Sequence, residues 1–277
     1  SQDLNTPHAE WLKRKLTEKS ITLVKNDGDI IPIQHFEKKK IAVVSIGGNS
    51  NTFLSTCKKY GDITTFNIVN AEGLTGIKSK LASFNTIIVS VHSNKVNENL
   101  DLQNICASAT SKATLVFFTS PYRISNFKNS ATKAEGVLIA YENTAVAQEY
   151  AAQAIFGGIS VSGKLPVSVK GLFDEGDGHD TEKIRLSYNI PEEVGVSGAV
   201  LDSIEKIVDE GIKEKAFPGC QILIAKDGVV IYNRAFGHFE YNEQREVTDD
   251  DIYDLASMTK ATATLPAIMK LYDDGEL

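Results

Sequence analysis

From residue 41 to residue 140, short apolar runs alternate with segments of near-helical spacing. The runs 41–46, 63–69, 86–91, 114–119 and 136–140 have strand length and carry apolar residues almost continuously. Continuous hydrophobicity suits strands covered on both faces, whereas half-exposed strands alternate. The intervening segments near 51–59, 74–82, 98–110 and 123–133 read as helices. Such alternation predicts a parallel, doubly wound α/β sandwich with right-handed crossovers.

The flanks complete this picture. Thr6-Pro7 predicts a helix start, with Pro in the first turn and Trp11, Leu12 and Leu16 facing inward. Residues 21–24 predict a short strand, and Pro32 keeps the extended segment 30–33 near an edge. Thr144 predicts a helix cap ahead of Val146, Ala147, Tyr150, Ala151, Ala154 and Ile155. Gly157 and Gly158 end that helix, and 165–169 predicts one more short strand. Gly158 to Lys164 fits the spacing of a phosphate-binding loop. A helix precedes it, however, and Leu165 occupies the hydroxyl position, so nucleotide binding is not expected.

After residue 170 the pattern changes. Residues 171–180 are rich in Gly and Asp, as in a connector. Ser197 is placed to cap a helix with Val200, Leu201, Ile204, Ile207, Val208 and Ile212 on one side. Two apolar runs around Lys226-Asp227-Gly228 predict a hairpin. The expected organisation is a first domain over 1–170, a linker over 171–195 and part of an α+β domain over 196–277.

Composition narrows the function classes. A net charge of -7 disfavours a nucleic-acid partner. No apolar run reaches the roughly 20 residues a membrane span requires. The three cysteines, Cys57, Cys106 and Cys220, lack metal-ligand spacing or a disulfide framework and read as free thiols. No metal or cofactor is expected. Ser1-Gln2, without an initiator Met, reads as a processed or trimmed start.

Two places carry candidate chemistry. Ligands on doubly wound sheets bind beyond the carboxyl ends of the strands. Here those ends hold Gly47-Gly48-Asn49, His92, Tyr122, Arg123, Glu142 and Asn143, a candidate ligand-facing edge made of residue types that also serve ordinary turns. The second place is Ser257-Met258-Thr259-Lys260. At the start of a helix, Lys260 lies one turn beyond Ser257 on the same face. A poorly hydrated Lys has a lowered pKa and can take the serine proton, making an acylation nucleophile. The free Ser257 N–H could then serve the oxyanion. Ser-x-x-Lys also occurs at Ser55/Lys58, Ser125/Lys128, Ser130/Lys133 and Ser203/Lys206, all expected at the surface. Ser257 differs in opening an apolar helix after a hairpin bearing Pro218-Gly219-Cys220.

Two resemblances join these readings. Ile21-Thr22-Leu23-Val24-Lys25-Asn26-Asp27-Gly28, running into Ile31-Pro32-Ile33, resembles the start of the second domain of glycoside hydrolase family 3. Residues 151–157 with Ser162-Gly163-Lys164-Leu165-Pro166-Val167 resemble its end. The β-N-acetylglucosaminidase, or β-hexosaminidase-like, branch is the most similar. The resemblance implies an α/β sandwich following a TIM barrel that carries both catalytic groups, so no glycosidase catalytic residue is expected in this chain. Glu142 is the nearest counterpart of the carboxylate that the second domain lends in other branches, without motif support.

Residues 191–277 resemble the start of the serine β-lactamase and penicillin-binding-protein family, in its class C and esterase-like branch. That resemblance implies Ser257 as nucleophile and Lys260 as its base partner, within a domain whose Tyr-x-Asn or Ser-x-Asn and Lys- or His-x-Gly elements lie further on. The expectation is an inactive fragment of a bacterial, periplasmic or secreted multidomain hydrolase of amino-sugar or peptidoglycan turnover. Its carbohydrate substrate would bind through an upstream barrel, and an oligomer could bury the C-terminal apolar helix. The alternatives are a non-catalytic carbohydrate-binding or scaffolding module, and a Ser-Lys esterase.

Overall fold

The protein, a computed structural model, is described over residues 6–108, 110–242 and 244–277. It divides into two compact units: residues 1–198 with 225–231, and residues 199–224 with 232–277.

The first unit is built on a six-stranded sheet. Its strands are β1 (Thr22–Asn26), β2 (Ile41–Ile46), β3 (Ile63–Ile68), β4 (Thr86–Val91), β5 (Lys112–Phe117) and β6 (Gly136–Ile139), in the order β1-β6-β5-β4-β2-β3. β2 to β6 run parallel in the expected doubly wound arrangement, and β1 joins antiparallel beside β6. The central strands are buried on both faces because their side chains alternate between two apolar layers. Ala42, Val44 and Ile46 share one layer with Leu74, Leu81, Leu102, Ile105 and Ala131. These come from α3 (Leu74–Leu81), α4 (Leu100–Cys106) and α5 (Lys128–Lys133). Ile41 and Val43 point the other way, to Phe53, Cys57, Ala147, Tyr150 and Ala151 of α2 (Asn51–Lys58) and α6 (Ala145–Phe156). β3 differs from expectation: as an edge strand it buries Ile63 and leaves Thr64 and Asn67 exposed.

Helix ends follow the sequence signals. Thr144 Oγ1 accepts the Ala147 N–H at 3.3 Å, and Gly157 closes α6 at φ +75°. Thr6 Oγ1 caps α1 (Pro7–Ser20) through the Ala9 N–H at 3.1 Å. The inward face of α1 is not the expected apolar one. Leu12 and Leu16 are exposed and Arg14 is buried. Arg14 Nε donates to Asn189 Oδ1 at 2.7 Å, its guanidinium pairs with Glu149, and it lies over the Tyr150 ring at 5.4 Å. A guanidinium that is ion-paired and hydrogen-bonded can be buried where a lone charge cannot.

Two other segments also depart from expectation. Residues 165–169 add no strand to the sheet. Pro166 has no N–H, and Leu165 and Val169 bond instead to the loop at Asp177 and Phe173. Residues 171–190 form a strap on the first unit. His179 N donates to Leu23 O at 2.7 Å, Ile184 N and Arg185 N donate to Gly157 O at 2.9 Å, and Arg185 Nη1 reaches Ile33 O at 2.8 Å. The strap ends in β7 (Ser187–Tyr188), which pairs in parallel with Val229 and Val230.

In the second unit, α7 (Gly198–Lys213) buries Val208. Its Ser203 is exposed, as are Ser55 and Ser125 in the first unit, whereas Ser130 is buried, contrary to the surface reading. β8 (Gly219–Lys226) and β9 (Val229–Gly237) form the expected hairpin, whose tip, residues 225–231, belongs to the first unit. Asp227 (φ +51°) and Gly228 (φ +75°) are both left-handed, the conformation its two-residue turn requires. Arg234 pairs with Glu205, and Gln221 Nε2 donates to Asp251 O at 2.9 Å. The chain then runs through a π-helical segment, Lys260–Thr264, into α8 (Leu265–Asp273). The three thiols are free, Cys57 and Cys106 buried and Cys220 partly so. Among the described residues no helix is long and apolar enough to cross a membrane.

Candidate active site and the strand-end network

In the first unit the strand order reverses between β2 and β4, the position at which open α/β sheets bind ligands. His92 sits there, just beyond β4, with 5% of its surface exposed. Its Nδ1 is 2.8 Å from Asn143 Oδ1, its Nε2 is 2.9 Å from Ser90 Oγ, and its ring stacks on Phe118 at 4.4 Å. An amide oxygen only accepts, so Nδ1 carries the proton and Nε2 accepts from the serine. Burial pushes the imidazole pKa down to about 4, with the Asn143 bond opposing it, so the ring is neutral at pH 7.

Asn143 is spent on the same network. Its Nδ2 donates to Asn49 O at 3.2 Å and to His92 O at 3.4 Å, and its Oδ1 also accepts from Gln148 Nε2 at 2.7 Å. Gln148 Oε1 in turn takes the Phe53 N–H at 2.9 Å, and Asn49 Oδ1 takes the Asn51 N–H at 3.1 Å. Those two N–H groups belong to the first turn of α2, where a bound anion would otherwise sit. His92, Asn143, Gln148 and Asn49 thus tie β2, β4, α2 and α6 together.

The remaining edge residues diverge. The Arg123 guanidinium donates to Asn94 O and to Val96 O and Asn97 Oδ1, each of these two at 3.3 Å, and so clamps the loop after β4. Tyr122 is exposed. Glu142 is exposed and accepts from Thr144 Oγ1 at 3.1 Å. The edge brings together His92 and Asn143 but not Tyr122, Arg123 and Glu142. Gln148, which completes the network, lies within a helix whose apolar spacing masks it in the sequence.

In the second unit Ser257 and Lys260 meet directly. Lys260 Nζ donates to Ser257 Oγ at 3.1 Å. Ala256, at φ +43°, turns the chain just before the serine, and Asp254 Oδ1 holds that turn through the Ala256 N–H at 3.1 Å. A non-glycine residue in the left-handed region stores strain of the kind found at functional turns. The helix begins at once, with Lys260 N donating to Ser257 O at 3.1 Å. No acceptor takes the Ser257 N–H among the described residues. The π-helical turn starts at Lys260 itself, a local geometry frequent at functional sites. The expected dry pocket around Lys260 does not form within this chain, because every residue from 252 to 277 is exposed.

Residues 204–277 match the beta-lactamase family model. Protein flp of Staphylococcus aureus (strain N315) is 35% identical over 74 residues, which cover 27% of this chain and 15% of that protein. A protein of Escherichia coli O157:H7, described as a candidate D-alanyl-D-alanine carboxypeptidase, is 29% identical over 99 residues, 33% of this chain and 23% of its own length. Among solved structures, a glycoside hydrolase family 3 β-N-acetylglucosaminidase from Paenibacillus sp. str. FPU-7 superposes with TM-score 0.51 and 21% identity. That match covers 60% of this chain and 34% of the other. A fungal multi-domain β-N-acetylglucosaminidase of the same family covers 94% of this chain and 32% of its own, at TM-score 0.50 and 15% identity. The chain thus spans a third or less of the length of most of these proteins. The two structural likenesses concern the fold: a glycoside-hydrolase-family-3-like α/β sandwich, accompanied over 204–277 by a beta-lactamase-like sequence.

Proposed function

We propose that this chain is part of a bacterial multidomain hydrolase, β-N-acetylhexosaminidase-like, of amino-sugar or peptidoglycan turnover, in the periplasm or secreted. Residues 1–170 act as the α/β sandwich beside a catalytic barrel that binds the carbohydrate, 171–195 as the connector, and 196–277 as the start of a serine-hydrolase domain. The observation that carries the serine-hydrolase part of this reading is the 3.1 Å contact between Lys260 Nζ and Ser257 Oγ at a helix start, inside the beta-lactamase-like residues, while the glycosidase part is supported by the likeness of the sandwich to the family 3 β-N-acetylglucosaminidase fold.

In that reading neutral Lys260 takes the Ser257 proton as Oγ attacks an acyl carbon. The ammonium then gives the proton to the leaving group, and water cleaves the acyl-serine ester. A neutral lysine needs a desolvated site, and residues 252–277 are exposed here. The chain alone is therefore expected to be inactive, with later parts of the domain supplying the cover. The same cover, or an oligomer, would bury the apolar side of α8, where Leu265, Ile268 and Met269 are about half exposed. The alternative of a non-catalytic carbohydrate-binding module would rest on exposed Tyr122 and Glu142 at the sheet edge.

The test uses the whole multidomain protein with an aryl N-acetyl-β-glucosaminide and an aryl ester as separate substrates. Ser257→Ala is expected to abolish ester cleavage and leave glycoside cleavage intact. Ester cleavage that survives Ser257→Ala would refute the serine role, and no glycoside cleavage by the unmodified protein would refute the glycosidase role.

A further inference from the structure

The direction in which Ser257 points is set one residue earlier. Ala256 is left-handed at φ +43°, a conformation disfavoured for any residue with a Cβ. The first helical turn is built on that residue. Met258 N donates to Leu255 O at 2.9 Å, Thr259 N to Ala256 O at 3.1 Å and Lys260 N to Ser257 O at 3.1 Å. The first two of these carbonyls lie on either side of the Ala256 angle. If Ala256 relaxed to an ordinary negative φ, the turn would lose this register, and with it the 3.1 Å contact between Lys260 Nζ and Ser257 Oγ.

One side chain opposes that relaxation. Asp254 Oδ1 accepts the Ala256 N–H at 3.1 Å, and a hydrogen bond to a carboxylate is stronger than one between neutral groups. The Asp254 carboxylate makes no other hydrogen bond and no ion pair among the described residues. The neighbouring cations are placed elsewhere, Arg245 on Asp251 and Lys270 on Asp274. Lys260 also lies outside ion-pair distance of it, so Asp254 has no direct part in the proton transfer.

We infer that Asp254 is a positioning residue for Ser257. It holds Ala256 left-handed, so that Oγ faces Lys260 and the Ser257 N–H stays free for the acyl oxygen. The inference rests on the serine-hydrolase reading and adds to it a carboxylate that acts through the shape of the turn, not through its charge.

The test uses the whole multidomain protein, with aryl-ester cleavage and the rate of fluorophosphonate labelling at Ser257 as readouts. Asp254→Ala is expected to lower kcat and the labelling rate ~10-fold with KM unchanged. Asp254→Asn keeps an oxygen that accepts the same N–H and loses the charge, so it should stay near the parent rate. Glycine enters the left-handed region freely. Adding Ala256→Gly to Asp254→Ala should therefore recover most of the loss, which general damage to the fold would not allow. The pH midpoint of kcat should be the same in all these variants. Asp254→Ala at the parent rate would overturn the inference. So would Asp254→Asn as slow as Asp254→Ala with a shifted midpoint, since the carboxylate would then act on Lys260 by charge. An unlabelled Ser257 in the unmodified protein would refute the serine-hydrolase reading itself, and this inference with it.

Discussion

Acidification from pH 7 to pH 4 is expected to cost the first unit about 3 kcal/mol through His92 alone. The folded imidazole is pushed down to about 4 by burial, while in the unfolded chain it titrates near ~6.5. Between these values the unfolded chain binds a proton that the folded chain refuses. Stability is therefore full above the unfolded value and falls as the pH drops toward the folded one. The loss stops below about pH 4, where both states are protonated. Trp11 is the sole tryptophan and lies in the first unit, where its Nε1 donates to Glu193 at 2.9 Å. Its fluorescence during urea unfolding thus reads this unit. Other groups titrate too, so the informative quantity is the difference from His92→Gln. At pH 7 that variant should be weaker by about 1–3 kcal/mol, because Ser90 and Asn143 lose a partner. The gap should close as the pH approaches 4. A gap independent of pH would mean that the imidazole is not held neutral.

Gly157→Val is expected to destabilise the first unit by about 3 kcal/mol, combining a left-handed backbone penalty with overpacking. Gly157 ends α6 at φ +75°, and an added Cβ would stand 2.5 Å from Ile184 Cγ1 and 2.9 Å from Pro32 Cβ. Its carbonyl also accepts the Ile184 and Arg185 N–H groups, so the strain would pass into the strap. Gly76→Ala provides the contrast. It lies inside α3 with nothing within 4 Å of the added Cβ and no left-handed angle, so it should stabilise by up to about 1 kcal/mol. Urea midpoints of the two variants, of opposite sign relative to the parent, check the pair together.

These residues also mark what can be read from sequence. β2, β4 and β5 are legible because strands covered on both faces must be apolar at successive positions, and α6 because Thr144 and Gly157 punctuate it. β3 misleads because an edge strand needs only one apolar face. Arg14 misleads because a helix's inward side is inferred from apolar spacing, while this one is held by a guanidinium whose partners, Glu149 and Asn189, are distant in sequence. The strap is invisible for a related reason. Single backbone bonds such as His179 to Leu23 carry no periodic signature, and a Gly/Asp-rich composition suits a bound strap as well as a free linker. At the sheet edge His92 and Asn143 stand out by position, but Gln148 does not. At Ser257 the pair is legible from spacing and context, whereas the solvation that sets lysine basicity depends on what covers residues 252–277.

A Ser257 nucleophile assisted by Lys260 would be marked covalently by an electrophilic probe. Peptide mass analysis after treating the multidomain protein with a fluorophosphonate, which phosphonylates activated serines, reads this out. A single adduct on Ser257 is expected, its rate lowered ~100-fold or more in Lys260→Met, with no adduct when the 277-residue chain is treated alone. An unlabelled Ser257 in the multidomain protein, or labelling indifferent to Lys260→Met, would contradict it and leave Ser257 as the start of a helix.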